Sequence, residues 1–267
     1  AMIRNLLLLF FLIFFSIHAN ALDFYGSFVQ GGMIKGKTDP KSKLFINGKN
    51  IKISKKGHFV FGIPRDASQK LKVKIQFKNK IQEFEKTVLK RKFKIQKIDG
   101  LPKRKVTPND KDMIKIRKEG KLISLAKNKN SNLTDFFSEF IRPVEGITTG
   151  VYGSQRILNG KPRRPHFGID IAAKKGTIIK NSNNGEVLLS EKNLFFTGGT
   201  IIIDHGHGVI TIYSHLNEIF VKKGDLVKRG EGIGTVGSTG RSTGPHLDFR
   251  IYCNNVPVDP DLILSSN

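Results

Sequence analysis

Apolar and polar residues alternate with a period of two in several short stretches, the pattern of strands with one buried face. Asn50-Ile51-Lys52-Ile53 and Leu71-Lys72-Val73-Lys74-Ile75 alternate in this way, and Lys43-Leu44-Phe45-Ile46 is rich in apolar residues. Asn47-Gly48 separates the first two of these stretches in chain order, and Asn-Gly is a strong hairpin-turn signal. Residues 22–95 are therefore expected to form a small β-sandwich-like domain. Helical spacing follows at Met113, Ile116, Ile123 and Ala126, interrupted by Gly120. Thr107-Pro108-Asn109-Asp110 precedes it, and predicts an N-cap at Thr107 with Pro in the first helical position. Residues 96–140 are thus read as a connector containing one helix. Beyond it, short β runs separated by glycine-rich turns dominate. Ile201 to Ile203, Val209 to Tyr213 and Leu247 to Tyr252 are the predicted strands, and residues 141–262 the second domain. The expected fold is mainly β: a sandwich-like front domain, a helical connector and a C-terminal antiparallel sheet domain.

The first 21 residues change this picture only by suggesting where the protein works. Met2 to Arg4 supply a positive start, Leu6 to Ile17 are apolar apart from Ser16, and Ala19-Asn20-Ala21 has the small-x-small form of a cleavage site. The apolar run is short for a bilayer span. Residues 1–21 are therefore read as a signal peptide, with a periplasmic or exported mature chain beginning at Leu22 and no stable membrane span after cleavage. Cys253 is the only cysteine, so no internal disulfide can support the fold, and a structural role is expected for it.

The formal net charge of +24 suggests an anionic partner, or a surface simply filled with Lys. No zinc-finger spacing, RRM signature or basic heptad is present, and export argues further against nucleic acid. Lys-rich faces would instead hold the chain near the negative groups of peptidoglycan stems and outer-membrane lipids.

Candidate chemistry is concentrated in the second domain, which holds five of the seven His residues. His166 and Asp170 could face one point if the chain loops between them, and neutral imidazole and carboxylate are good zinc ligands. His246 and Asp248, two apart on a predicted strand, share a face, with Leu247 and Phe249 turned to the core. His215 ends an apolar strand. His205 and His207 also stand two apart, and on spacing alone they are as plausible a metal pair as His246 and Asp248. The front domain's His58 has no neighbouring ligand.

The texts PHFGIDIAAKKGTII, DHGHGVITIYSHL and VKKGDLVKRGEGIGTVGSTGRSTGPHLDF resemble the lysostaphin-type, LytM-like zinc endopeptidases. The likeness spans about residues 142–260, and VYGSQRILNGKPRRPHFGIDIA, with the β-rich front domain, is similar to the Gram-negative branch. The resemblance implies a zinc enzyme that cuts peptide cross-links in peptidoglycan. It implies His166 and Asp170 as zinc ligands, His215 and His246 as catalytic residues, and Asp248 at the position of the third ligand. His205 and His207 match no catalytic position and are read as structural. Where the family has His-Leu-His, this chain has His246-Leu247-Asp248. A carboxylate oxygen lies as many bonds from the backbone as a His Nδ1, so Asp248 can reach the same point. Its charge, however, would cancel more of the metal's and make bound water less acidic. That departure leaves a second reading open: a weak or inactive relative that binds peptidoglycan or regulates another wall hydrolase or divisome component. A lipoyl-like carrier, suggested by Val221 to Gly234, lacks the Asp-Lys tip such domains need.

Overall fold

The computed structural model describes residues 22–265; the predicted signal peptide lies outside the described residues. The front domain contains β1 (Asp23–Tyr25), β2 (Met33–Lys37), β3 (Lys43–Ile46), β4 (Lys49–Ile51), β5 (His58–Gly62), β6 (Lys70–Phe77) and β7 (Lys80–Thr87). They form two antiparallel sheets, ordered β1-β2-β5 and β4-β3-β6-β7. Ile34, Leu44, Phe59, Phe61 and Val73 fill the core between them. The β3–β4 hairpin turns at Asn47 and Gly48, both with positive φ (48° and 78°), the conformation that favours Asn-Gly there.

The chain then runs through β8 (Ile95–Ile98), α1 (Lys103–Val106) and α2 (Asp110–Lys127). The cap of α2 differs from the expectation. Asn109, not Thr107, is the N-cap, its side chain accepting from the Asp112 amide at 2.9 Å, and Pro108 precedes the cap. Thr107 is instead the C-cap of α1, its amide donating to the Lys103 carbonyl at 2.8 Å.

The second domain comprises β9 (Phe140–Ile141), β10 (Ile147–Gly150), β11 (Gln155–Leu158), β12 (Lys161–Pro162), β13 (Ile169–Ala172), β14 (Ile178–Lys180), β15 (Gly185–Leu194) and β16 (Gly198–Asp204). It continues with β17 (Val209–Ile219), β18 (Leu226–Val227), β19 (Gly232–Val236), β20 (His246–Cys253), β21 (Val256–Val258) and β22 (Leu264–Ser265). Ten strands make one sheet whose spine is β10-β13-β20-β17-β16-β15-β18. Alternation sorts its two faces. Ile169, Ile171, Ile201, Ile203, Tyr213, Leu247, Phe249 and Ile251 build the main core. Ile202, Ile210, Ile212 and Tyr252 point the other way, where Ile123 and Ala126 of α2 cover them. Farther along that second face stand His246, Asp248 and Arg250.

The two domains are packed together. Met33 and Val60 of the front domain join the main core, and His58 stacks on Phe137 with ring centroids 3.8 Å apart. Gly62 permits the contact, since a Cβ there would lie 2.9 Å from Val258 Cγ1. The segment Ile95–Ile98 pairs in parallel with β11 and forms a small sheet with β11 and β12. The chain between the domains is thereby fixed beside the second one.

His205 and His207 are both buried away from the rest of the His cluster. His205 donates from Nδ1 to the Asn184 carbonyl (2.6 Å), and its Nε2 meets the Thr211 hydroxyl (2.8 Å). Burial pushes its pKa down to about 4, and burial also lowers those of His58, His207 and His215. In the unfolded chain these groups titrate near about 6.5. Below that pH the unfolded state binds more protons, so stability falls as pH falls. The melting temperature is expected to drop steadily from about pH 6.5 towards about pH 4, where His205 titrates in the folded state. A melting curve unchanged across that window would contradict the neutral, buried state of these rings.

Candidate metal centre

Strand register brings two acidic side chains face to face. Asp170 on β13 is the direct partner of Asp248 on β20, and Asp248 is in turn opposite Ser214 on β17. Directly opposed residues in antiparallel strands share a face and lie close together. Both carboxylates are buried, so each needs a compensating cation or hydrogen-bond donors. Two arginines supply part of this. Arg250, two residues along β20 on the same face, donates from Nε and Nη2 to the two oxygens of Asp248 at 2.7 and 2.6 Å. Arg156, on β11, pairs with Asp170 Oδ2. Burial pushes the Asp248 carboxyl up, but the Arg250 guanidinium outweighs it and holds the group well below the usual carboxylate range.

His166 reaches the same point from the loop before β13. Its backbone is fixed at both ends: its amide donates to Ser154 O (2.9 Å) and its carbonyl accepts from Gly153 N (2.7 Å). Arg65 of the front domain donates to the Gly153 carbonyl at 2.7 Å. Gly168 lets the loop cross β20, because a Cβ there would lie 2.4 Å from the Phe249 carbonyl oxygen. The His166 side chain is fully buried, yet neither ring nitrogen has a hydrogen-bond partner, nor does Asp170 Oδ1. His166 Nε2 and Asp170 Oδ1 are 3.2 Å apart without the alignment of a hydrogen bond.

One ligand atom each from His166, Asp170 and Asp248 lies within 4.8 Å of the others. Donors tetrahedrally arranged about 2.1 Å from one ion stand about 3.4 Å apart. The trio therefore matches a small divalent cation after an inward shift of about an ångström, and the orphaned nitrogen and oxygen are the atoms such an ion would satisfy. The nitrogen–oxygen donor set suits zinc.

His215 and His246 stand next to this trio, their ring centroids 4.7 Å apart. His215 would face the core by simple alternation. It instead adopts a left-handed backbone, φ 69°, beside a register shift in β17. Such a conformation costs a non-glycine residue about 1–2 kcal/mol. It places His215 on the same face as Ser214, with Nδ1 donating to the Thr239 carbonyl at 2.7 Å. His246 Nδ1 donates to the Gly244 carbonyl at 2.9 Å. Since a carbonyl only accepts, each Nδ1 carries a proton, and in the neutral ring Nε2 is then the nitrogen with the lone pair. His246 Nε2 is 3.9 Å from Asp170 Oδ1. Burial pushes the His215 pKa down to about 4, so this ring is neutral near pH 7.

The five residues singled out in the sequence, His166, Asp170, His215, His246 and Asp248, thus meet at one place. Arg156 and Arg250 belong to the same cluster and were not anticipated; the i+2 position of Arg250 was the available sign. The site opens into a cleft of about 310 Å³. Gln96, Ile98 and Leu101 of the connector line it, together with Arg241, Thr243 and Pro245.

Comparison with known proteins adds independent findings. The model of peptidase family M23 matches residues 164–260. Peptidoglycan DD-endopeptidase ShyB of Vibrio cholerae is 43% identical over 95 residues, which is 36% of this chain and 22% of that protein. DD-carboxypeptidase/endopeptidase Mpg of Neisseria meningitidis is 43% identical over 97 residues, with the same coverage of 36% and 22%. The chain therefore spans about a fifth of the length of the curated relatives it matches. A crystal structure of a peptidase M23 from Pseudomonas aeruginosa aligns over 88% of this chain and 93% of its own, with TM-score 0.66 and 28% identity. That likeness includes the front domain.

Removing one partner of a buried ion pair typically costs about 3–5 kcal/mol. Arg250→Met is expected to destabilise the metal-free protein by about that amount in urea denaturation. In an Asp248→His background the same change should cost clearly less. An equal loss in both backgrounds would show that Arg250 acts through other contacts.

Proposed function

We propose that this chain, whose residues 164–260 match the model of peptidase family M23, is an exported zinc endopeptidase that hydrolyses the cross-linking peptides of peptidoglycan. The observation that carries the reading is the cluster itself. The donors of His166, Asp170 and Asp248 converge within 4.8 Å, with orphaned atoms among them. Beside them stand two imidazoles whose Nδ1 atoms donate to backbone carbonyls, which makes Nε2 the accepting nitrogen of each neutral ring. The relatives' names supply the substrate class, peptidoglycan, and the reaction, endopeptidase cleavage.

Zinc at this point would polarise the scissile carbonyl and acidify water. The chain's own residues do the rest. His166, Asp170 and Asp248 would hold the ion. His246 Nε2 takes the proton of the attacking water, and His215 Nε2 hydrogen-bonds to it and fixes its direction. The backbone carbonyls of Thr239 and Gly244 lock both rings in the required tautomer. Arg156 and Arg250 balance the carboxylates without occupying the ring nitrogens of His166.

Arg241 lines the cleft and lies near Arg156, Arg250 and Arg163; burial, then these neighbours, pushes its pKa down to about 10. It remains charged at neutral pH, and it suits a substrate that carries carboxylates, as wall peptides do. Export rests on residues 1–21. Among the described residues no helix is long and apolar enough to cross a membrane. The other reading, a wall-binding relative without turnover, would have the arginines replace the metal. The unpartnered ring of His166 favours the hydrolase.

Two measurements on the purified protein test this. Metal analysis is expected to give one zinc per chain, and cross-linked muropeptides to be cleaved. His246→Ala should keep its zinc and lose about 10²–10⁴-fold in kcat, the usual contribution of a general base. His166→Ala should lose both zinc and activity. A protein that binds wall fragments but neither zinc nor turnover would leave only the recognition role.

A further inference from the structure

Helix α2 has two faces with opposite chemistry. Its inward face is spent on the fold. Asp112 pairs with Arg104, Glu119 accepts from the Phe195 amide at 2.8 Å, and Ile123 and Ala126 pack on the sheet. Those two acids and Asp110, at the first position, are the only ones in the helix. The outward face therefore has no acid after its first residue, but it has Lys111, Arg117, Lys118 and Lys121, all exposed.

Three large aliphatic side chains stand among these cations: Ile114 (65% exposed), Leu122 (38%) and Leu125 (72%). At about 100° per residue, Ile114 and Leu125 lie within about 20° of one another around the helix axis. Lys118 and Lys121 flank them at about 40° and about −20° from Ile114, and Arg117 and Lys111 lie farther out at about 60° on either side. An aliphatic centre bordered by long cationic side chains is the arrangement of a helix lying in a membrane interface. There the aliphatic tips enter the acyl boundary, and the charged heads reach back to the phosphates.

We propose that the outer face of α2 docks the protein on an anionic lipid bilayer. A second copy of this face is a poor partner, because it would oppose like charges. A phosphate polymer would engage the cations and leave the aliphatics in water. An anionic bilayer satisfies both at once, and attraction grows with each basic residue near the surface. The surface is separate from the metal centre. The helix covers one end of the sheet face whose other end carries His246 and Asp248, so docking would hold the hydrolase at a membrane and leave its side chains intact.

Flotation of the mature chain, residues 22–267, with liposomes tests the proposal. In buffer of near-physiological ionic strength the protein is expected to float with phosphatidylglycerol–phosphatidylethanolamine vesicles and not with phosphatidylcholine vesicles. Ile114→Ser with Leu125→Ser should weaken binding by about tenfold or more, because it removes the inserted aliphatic groups. Lys118→Glu with Lys121→Glu should weaken it at least as much. Lys43→Glu with Lys72→Glu, an equal charge change on the exposed face of the front sheet, should bind as the parent does. All four side chains changed on the helix are exposed, so melting temperatures should stay close to the parent's. The proposal is overturned if the parent ignores anionic vesicles, if the serine variant floats undiminished, or if the front-sheet variant loses as much as the helix variants. It is also overturned if the parent floats only when an acidic protein is added. None of these outcomes bears on zinc content or turnover, which test the hydrolase reading separately.

Discussion

Two carboxylates placed directly opposite one another on neighbouring strands, out of water, are the constraint around which this molecule is built. The register that pairs Asp170 with Asp248 also aligns the apolar residues between and beyond them with the core. Neither side chain can be moved without slipping a strand and turning its hydrophobic face outward. The charge therefore has to be answered where it stands. Arg156 and Arg250 answer it from the protein side. Even so, an oxygen of Asp170 and both nitrogens of His166 remain without a hydrogen bond. A packed interior tolerates such atoms at a place kept for something else.

The rest of the fold can be seen as holding that place open. The front domain is more than an appendage: its Arg65 secures the loop from which His166 projects, and its Met33 and Val60 complete the main core. The connector adds strand β8 to the small sheet that carries Arg156, and its residues Gln96, Ile98 and Leu101 border the cleft. The width of the cleft is thereby tied to how the two domains meet. Backbone strain at His215 fits the same account. A left-handed residue inside a strand persists only when its surroundings enforce it. Here the return is two consecutive side chains, Ser214 and His215, on the face that needs them.

Much of this could be read from the sequence because it depends on local periodicity. Alternation over His246 to Phe249 put His246 and Asp248 on one face and Leu247 and Phe249 in the core, as the structure has them. The Asn47-Gly48 hairpin followed from turn chemistry alone. Features that depend on long-range pairing were beyond its reach. Nothing near Arg156 indicates that it will meet Asp170, because that contact depends on how β11 lies beside β13. His215 was named through the family resemblance, but its orientation could not be read from periodicity: ideal alternation points it inward, and only the left-handed residue turns it back. The helix cap moved from Thr107 to Asn109 because Thr107 closes the short helix α1, which the sequence reading did not anticipate. The pairing of His205 with Asn184 and Thr211 likewise shows how a two-apart His pair can be structural once one ring is enclosed.

The carboxylate at Asp248 at first counts against metal chemistry, since it adds a negative charge where the family resemblance implies a histidine. The structure changes the sum. Arg250 sits two residues on, faces the same way and holds both oxygens of Asp248. Together the pair carries no net charge, as a neutral imidazole would. Each carboxylate oxygen also has a second lone pair, so accepting from Arg250 does not prevent it from binding a cation. A guanidinium behind a carboxylate weakens it as a donor but fixes its orientation, which is the usual effect of outer partners on metal ligands. Judged by charge and geometry together, Asp248 with Arg250 is closer to a histidine than Asp248 alone.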